Sequence, residues 1–449
     1  MTTATVLSKR VRVTLAGVFV FWALLMFAGA VLIPFVYESP SMFYKFGFHK
    51  ALLRTGKVLG GIAVLLALLQ ILLVSRFKIA DRVWGADRLY NLHRLNGITL
   101  AATVLLHPLL VVAAEDFTFF PLEIRYWPEF IGIGALALGL VLAATAQWRA
   151  RLHWAYHQWL RFHRWGAPLF LSFITVHVLF VSETYASGPP RVAVLLIAGL
   201  LVLMLSKHRL RMFFLKRNPY YVRKVVKDSQ DAFAIDIAPG DGDLDYLPGQ
   251  FAFITPVSRK VSQEEHPFTI CSTPSQPGSL QFIIRSLGDW TSTIKRLDPD
   301  DRVFVDGPYG RFSHLILPDD AAIIMIAGGI GITPMLSMLR YMADVKDRRP
   351  ILLIWSNRGP ETVVFAEEIE TLQQNLQQFE IIKIMTRAPQ EGRYPARLNR
   401  QRLARLLQGW SRQTDIFLCG PPGMVRDMGR ALQQMGFSPA RVYKETFQL

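Results

Sequence analysis

Six apolar segments constrain the first half of this chain more than any other feature. They run over 13–37, 52–74, 92–114, 128–147, 162–181 and 192–205 with its flanks. A helix needs about 20 apolar residues to cross a hydrocarbon layer, and only helices or closed barrels satisfy their backbone there. Soluble cores do not use this many long apolar runs, so the pattern predicts six membrane-crossing helices. The first segment carries Ala28-Gly29-Ala30, which imitates a signal-peptide cleavage site. Its apolar run continues to Tyr37, so it reads as a retained helix.

Charge orients these helices. The formal net charge is +16, and most of the excess lies before Leu215. Lys9, Arg10 and Arg12 precede the first segment. Arg76, Lys78, Arg82 and Arg88 follow the second, Arg149, Arg151 and Arg161 the fourth, and Lys207, Arg209, Arg211, Lys216 and Arg217 the sixth. The alternate loops hold Glu38, Glu115, Asp116, Glu123, Glu129 and Glu183. Cations collect on the cytoplasmic side, which predicts a multi-pass inner-membrane protein with both termini in the cytoplasm. A nucleic-acid binder would carry its basic stripe on a soluble module, and none is present. The two cysteines, Cys271 and Cys419, supply neither a disulfide framework nor a thiolate metal site.

The third segment carries His93 and His107 and the fifth His163 and His177, each pair 14 residues apart. Fourteen steps of a helix return to nearly the same face about 21 Å further along. The two segments run in the same direction, so His93 lies level with His163, and His107 with His177. Ionisable residues at membrane depth are costly and default to function. Two facing imidazoles at each of two depths are what two bis-histidine b-type haems need as metal ligands. His93 and His163 are each followed by Arg and then a nearby Gly (Arg94, Gly97; Arg164, Gly166). The Arg suits a haem propionate or the cytoplasmic flank equally, and the Gly leaves room for a flat macrocycle. His153 and His157, spaced i, i+4, form a possible metal pair, but the Trp-rich basic segment around them favours an interfacial helix. His49 and His208 read as interfacial too.

After Asn218-Pro219 the composition turns soluble. Short β-rich runs at 232–237, 249–255, 280–286 and 302–305, separated by Gly, Pro and Asp, predict a small antiparallel barrel. From Asp320, strands at 321–327, 351–355, 380–385 and 415–418 alternate with helical stretches, which predicts an open, mostly parallel α/β sheet. The domain boundaries expected are 1–215, 216–316 and 317–449.

Five motifs follow in order: His266-Pro267-Phe268-Thr269-Ile270, Leu287-Gly288-Asp289-Trp290-Thr291, Asp306-Gly307-Pro308-Tyr309-Gly310, Gly328-Gly329-Ile330-Gly331-Ile332-Thr333-Pro334 and Cys419-Gly420-Pro421-Pro422-Gly423. With the paired histidines they make the chain resemble the NADPH oxidase and ferric reductase family, most of all its compact prokaryotic NADPH oxidases. The resemblance implies a multidomain fold: a six-helix transmembrane bundle, an antiparallel β-barrel FAD domain and an α/β NADPH domain of ferredoxin-reductase type. It implies that His266 to Thr269 line the flavin, with Thr269 at its reactive edge. Arg285 and Gly288, Asp289, Trp290 and Thr291, ahead of a short helix over 292–297, suit the flavin pyrophosphate. Gly328, Gly329, Gly331, Thr333 and Pro334 open a helix near Met335 and cradle the nicotinamide nucleotide. Cys419, with Gly420 and Pro421, falls beside the nicotinamide, and Phe447 covers the flavin until nicotinamide displaces it.

Arg358 and Arg387 end two strands where a reader of NADH usually places an acid, so they predict a 2′-phosphate and NADPH. A hydride carries two electrons and a haem accepts one, so FAD stands between them. The expected route runs from NADPH through FAD, the His93/His163 haem and the His107/His177 haem to an outer acceptor. With both axial positions filled by histidine, O2 is reduced without being held on iron, and superoxide is the expected product. Two alternatives share the motifs: a ferric-chelate reductase with the same path, and a haem-binding or haem-transporting membrane protein with a relic reductase domain. The oligomeric state is not legible.

Overall fold

The computed structural model describes residues 7–38, 46–117, 122–181, 183–387 and 397–446. The chain divides into two compact units, Arg10–Arg211 and Met212–Leu449.

The first unit is helical. Its long helices are α1 (Lys9–Val36), α2 (Gly47–Val74), α4 (Ala86–Ala114), α5 (Trp127–Trp148), α6 (Tyr156–Val181) and α7 (Gly188–Arg217), all long and apolar enough to cross a membrane. Most exceed their apolar segments because the helix continues past the hydrocarbon, where polar and aromatic side chains are solvated. α2 packs along α4 and α5 along α6. Ala63, Leu66, Ala67, Leu100, Ala135, Leu142, Phe170 and Leu171 bury the seam, while Leu24, Leu196 and Trp165 point outward.

Between α2 and α4 a short helix, α3 (Lys78–Trp84), leads through Gly85 at φ +84° directly into α4. One local expectation is corrected. His153 and His157 do not share an interfacial helix. His153 sits in a tight turn at φ +50°, where the Leu152 and Trp154 N–H groups donate back to Trp148 and Arg149, and His157 lies in the first turn of α6. Connecting two antiparallel neighbours in so few residues needs that reversal. His49 lies in α2 with its Nδ1 3.0 Å from the Ala114 carbonyl.

The second unit begins with β1 (Tyr220–Lys227), β2 (Ala232–Pro239), β3 (Phe251–Val257), β4 (His266–Thr269), β5 (Leu280–Arg285) and β6 (Arg302–Tyr309), antiparallel in the order β4-β3-β6-β1-β2-β5. A bridge between Ile270 and Phe282 joins the two edges into a barrel. β1 escapes a simple apolar count because Arg223, Lys224 and Lys227 interrupt it, yet it carries Tyr220 and Val222 inward. α8 (Asp289–Thr293) starts three residues before the helix expected at Ser292, since the Thr291 hydroxyl takes the Leu287 and Gly288 N–H groups and caps it.

A parallel sheet follows: β7 (Ile323–Gly328), β8 (Ile351–Asn357), β9 (Phe379–Met385), β10 (Asp415–Gly420) and β11 (Val442–Thr446), in the order β11-β10-β7-β8-β9. Helices α9 (Thr333–Asp344), α10 (Ala366–Asn375), α11 (Arg400–Leu406) and α12 (Pro422–Gln434) flank it. β7 and β10 are buried throughout, as central parallel strands must be. The strand order reverses between β7 and β10, and the carboxyl ends there form the crevice where such sheets bind ligands. Barrel and sheet share one core, in which Ala232, Cys271, Ile283 and Phe312 meet Met325, Trp355 and Phe417.

His314 is fully buried, with neither ring nitrogen partnered among the described residues. Burial first, and then Arg349, push its imidazole down to about 3. The unfolded chain takes up that proton near pH 6.5 while the folded one refuses it. Stability present above pH 6.5 is therefore lost as the pH falls towards 3, at about 1.4 kcal/mol per unit. The melting temperature of this unit, followed by circular dichroism, should drop steeply from pH 7 to 5. His314→Leu should flatten that slope.

Candidate functional site

In the helical unit the four histidines form two pairs. His93 and His163 have ring centres 6.4 Å apart and planes at 79°; His107 and His177 have ring centres 6.4 Å apart and planes at 77°. A metal–imidazole bond of about 2 Å, with about 1.1 Å more to the ring centre, sets two imidazoles on one metal about 6.2 Å apart. The spacing therefore fits a metal between each pair. His93 Nδ1 lies 3.1 Å from the Gln70 carbonyl, His107 Nδ1 2.8 Å from that of Gly56 and His177 Nδ1 2.8 Å from that of Pro128. A carbonyl only accepts, so each Nδ1 carries the proton and leaves Nε2 as the free lone pair. Among the described residues no group of three or more His, Cys, Asp or Glu could hold another metal.

Glycine makes room at the second pair. A Cβ on Gly132 would lie 2.6 Å from the His177 ring, and one on Gly60 would lie 3.1 Å from the His107 ring. Gly97 and Gly166 have a packing role as well. A Cβ on Gly97 would lie 2.7 Å from Gln70, and one on Gly166 would lie 2.8 Å from Leu142, both on neighbouring helices. Close helix packing is what these two glycines provide. Gln70 also accepts from Asn96 Nδ2 at 2.6 Å, and Asn96 reaches the Leu66 carbonyl at 2.9 Å. Sequence reasoning missed Gln70, Asn96, Gly60 and Gly132. The available signal was two amide side chains and two glycines inside apolar spans.

In the barrel, His266 and Phe268 project from the same face of β4 and both stack on Trp290, with ring centres 4.1 and 6.1 Å apart. Trp290 is fixed by its Nε1, which donates to the Ser262 carbonyl at 2.8 Å. Burial holds the His266 imidazole below its ordinary value, and Glu264, 3.3 Å away, works against that shift. Pro267 is exposed, while Thr269 and Ile270 are buried. The buried Thr269 hydroxyl has no partner among the described residues, which leaves a polar atom free for the edge of a flavin. Gly288, Asp289 and Thr291 form the capped start of α8. Arg285 turns toward the sheet: its Nε lies 3.1 Å from Asp231, its Nη2 donates to the Thr362 carbonyl at 3.1 Å, and a Cβ on Gly329 would lie 2.9 Å from its Nη1.

At the switch point two loops close on each other. A Cβ on Gly331 would lie 2.5 Å from the Cys419 carbonyl, and one on Gly328 would lie 2.8 Å from Pro421. Gly420 has φ +156°, and a Cβ there would lie 3.1 Å from Gly328. Only glycine permits this approach of backbone to backbone. A 3₁₀ turn over Gly329–Ile332 leads into α9, which starts at Thr333 with Pro334 in its first turn, two residues before the expected start at Met335. Cys419 is fully buried in the shared core. Arg358 and Arg387 are exposed on adjacent backbone, the Arg387 N–H donating to the Arg358 carbonyl at 2.8 Å. Neither pairs with an acid among the described residues. Phe447 lies outside the described residues.

Comparison with known proteins matches three family models. Residues 59–174 match a ferric reductase like transmembrane component, 217–313 an FAD-binding domain and 325–430 an oxidoreductase NAD-binding domain. The chain is 28% identical over 200 residues to sulfhydrogenase 1 subunit gamma of Pyrococcus furiosus, covering 44% of this chain and 67% of that one. It is 27% identical over 218 residues to the reductase component of propane 2-monooxygenase of Mycolicibacterium smegmatis, covering 45% and 60%. A crystal structure of flavohemoglobin from Malassezia yamatoensis overlaps 91% of this chain and 99% of that one, at TM-score 0.48 and 15% identity. A ferric-reductase-like transmembrane component, an FAD-binding domain and an NAD-binding domain, matched in this order in a chain with six helices long and apolar enough to cross a membrane, are the architecture of the NADPH oxidase and ferric reductase family, and the chain is a membrane oxidoreductase of that architecture.

Proposed function

We propose that the chain carries electrons from cytoplasmic NADPH, by way of FAD and two bis-histidine b-type haems, to O2 on the outer face of the membrane, where superoxide leaves. The observation that carries this reading is the pair of 6.4 Å imidazole separations on α4 and α6. When bound, FAD takes a hydride and gives up electrons singly, and each haem carries one.

The residues then have distinct tasks. His93 with His163, and His107 with His177, would hold the two haems through Nε2, so the haems would pass single electrons to O2 without binding it. His266, Phe268 and Trp290 form an aromatic wall, and Thr269 offers its hydroxyl to the flavin's polar edge. The Gly328–Pro334 loop and Gly420 let nucleotide phosphates approach backbone, and Cys419 lies beside the nicotinamide. The reductase half lies in the cytoplasm, a reading the basic flanks support.

Arg358 and Arg387 take the 2′-phosphate. Replacing both with Ala should raise KM for NADPH about 10- to 100-fold, as losing a charged phosphate contact of about 1.5–3 kcal/mol does, with little change for NADH. An unchanged NADPH/NADH ratio would place selection elsewhere.

The test of the function is NADPH-driven cytochrome c reduction by the purified protein. Suppression by superoxide dismutase is the expected result. Reduction that ignores the dismutase and is diverted by ferric citrate would instead establish a ferric-chelate reductase, a reading favoured by the name of the matched transmembrane family.

A further inference from the structure

Three of the four imidazoles are held alike and one is not. His93, His107 and His177 each direct Nδ1 at a backbone carbonyl on a neighbouring helix, at 3.1, 2.8 and 2.8 Å. His163 Nδ1 is buried and has no partner among the described residues. The Nδ1–H···O=C bond usually fixes both the tautomer and the rotation of a metal-binding imidazole. His163 therefore needs another device to set its ring.

One turn earlier on α6 stands Trp159. Its ring centre lies 5.3 Å from that of His163, with the planes 33° apart, so the indole lies against the imidazole as a partly tilted wall. The indole Nε1 is also buried without a partner among the described residues, so no hydrogen bond explains the position of Trp159. Tyr156 also packs against it, with ring centres 5.7 Å apart. No tryptophan stands four residues before any of the other three histidines, whose places are taken by Leu89, Thr103 and Phe173.

We propose that Trp159 is a positioning residue for His163, setting by ring contact the orientation that a carbonyl sets for the other three. The proposal rests on the reading of the four histidines as haem ligands. Ring contact fixes the plane of an imidazole without adding the electron density that a carbonyl acceptor lends it. The His93/His163 pair is thus the more dependent on side-chain packing.

The experiment compares full-length Trp159→Leu and Trp159→Phe with the parent, by haem-to-protein ratio and by low-temperature electron paramagnetic resonance of the oxidised protein. The g values of a low-spin ferric haem report the angle between its axial imidazole planes, which packing alone would not move in the distant pair. In the Leu variant the signal that is missing from His163→Ala should shift, or that haem should be lost, while the other haem is unchanged. The Phe variant keeps an aromatic wall and should retain both haems with parental g values. Parental signals in the Leu variant would overturn the proposal. Equal effects of Leu and Phe would overturn it too, by making the indole N–H the holding group. Failure of the underlying reading is distinguishable, because the parent itself would then lack two low-spin haems.

Discussion

If His107 and His177 hold a haem as proposed, Gly132→Ala should halve the haem content of the purified protein. The new methyl would lie 2.6 Å from two atoms of the His177 ring, closer than any carbon contact tolerates. The ring cannot retreat freely, because its Nδ1 is tied at 2.8 Å to the carbonyl of Pro128, four residues back on the same face of α5. Either that bond breaks or the imidazole leaves its place opposite His107. Overpacking of this kind costs about 1–3 kcal/mol in a closely packed interior. The ligand geometry suffers more, since a shift of about 1 Å takes a nitrogen out of a bond of about 2 Å. A pyridine haemochromogen assay should fall from two haems per chain towards one, with FAD content unchanged. Gly134→Ala is the control: its Cβ would sit 3.3 Å from the edge of Phe173, a contact that ring can relieve. Two haems retained in Gly132→Ala would remove His177 from the ligand set.

Arg340→Leu should lower the melting temperature of the soluble unit by about 5–10 °C. Arg340, on α9, donates through Nε and Nη2 to Glu368 of α10 at 2.5 and 2.7 Å. Its Nη1 donates to the Cys271 carbonyl and to Gln281 Oε1, both at 2.8 Å, and its guanidinium lies over the Phe365 ring. One side chain thus ties the nucleotide sheet to the barrel just beyond the His266–Ile270 motif. Removing a buried partner costs about 3–5 kcal/mol because the remaining charge is stranded. The Glu368 side chain is 34% exposed, so about 2–3 kcal/mol is expected here. For a unit of this size each kcal/mol moves the midpoint by about 2–4 °C. On the proposed reading the tie would also hold the register between nucleotide and flavin, and a small misplacement of reacting atoms slows transfer severely. Flavin reduction by NADPH in stopped flow should slow at least about tenfold, with the haem spectrum intact. Arg340→Lys keeps the charge without the fork and should fall between. A parental melting curve and reduction rate in Arg340→Leu would show that the shared core alone sets the register.

The membrane spans, the barrel and the parallel sheet were legible because each follows from a period or a punctuation mark in the sequence. Hydrocarbon demands long helices, and Gly-Pro-Asp breaks demand short antiparallel strands. The four histidines were legible because 14 residues is nearly four whole helical turns, so spacing alone puts a pair on one face. The glycines at 328, 331 and 420 were legible as a loop motif, but their reason was not. They are glycine because two loops distant in sequence meet backbone to backbone at the switch point.

What spacing could not reach were contacts between separate elements. The tertiary structure decided that Gly97 and Gly166 serve Gln70 and Leu142, that Arg285 turns to Asp231 and Thr362, and that Arg340 joins the two soluble folds. It also decided which carbonyl His93, His107 and His177 find and that His163 finds none among the described residues. A sequence fixes which face of a helix a residue occupies, because 3.6 residues per turn is a local property of the backbone. The atom that waits opposite that face belongs to another helix, and packing alone chooses it.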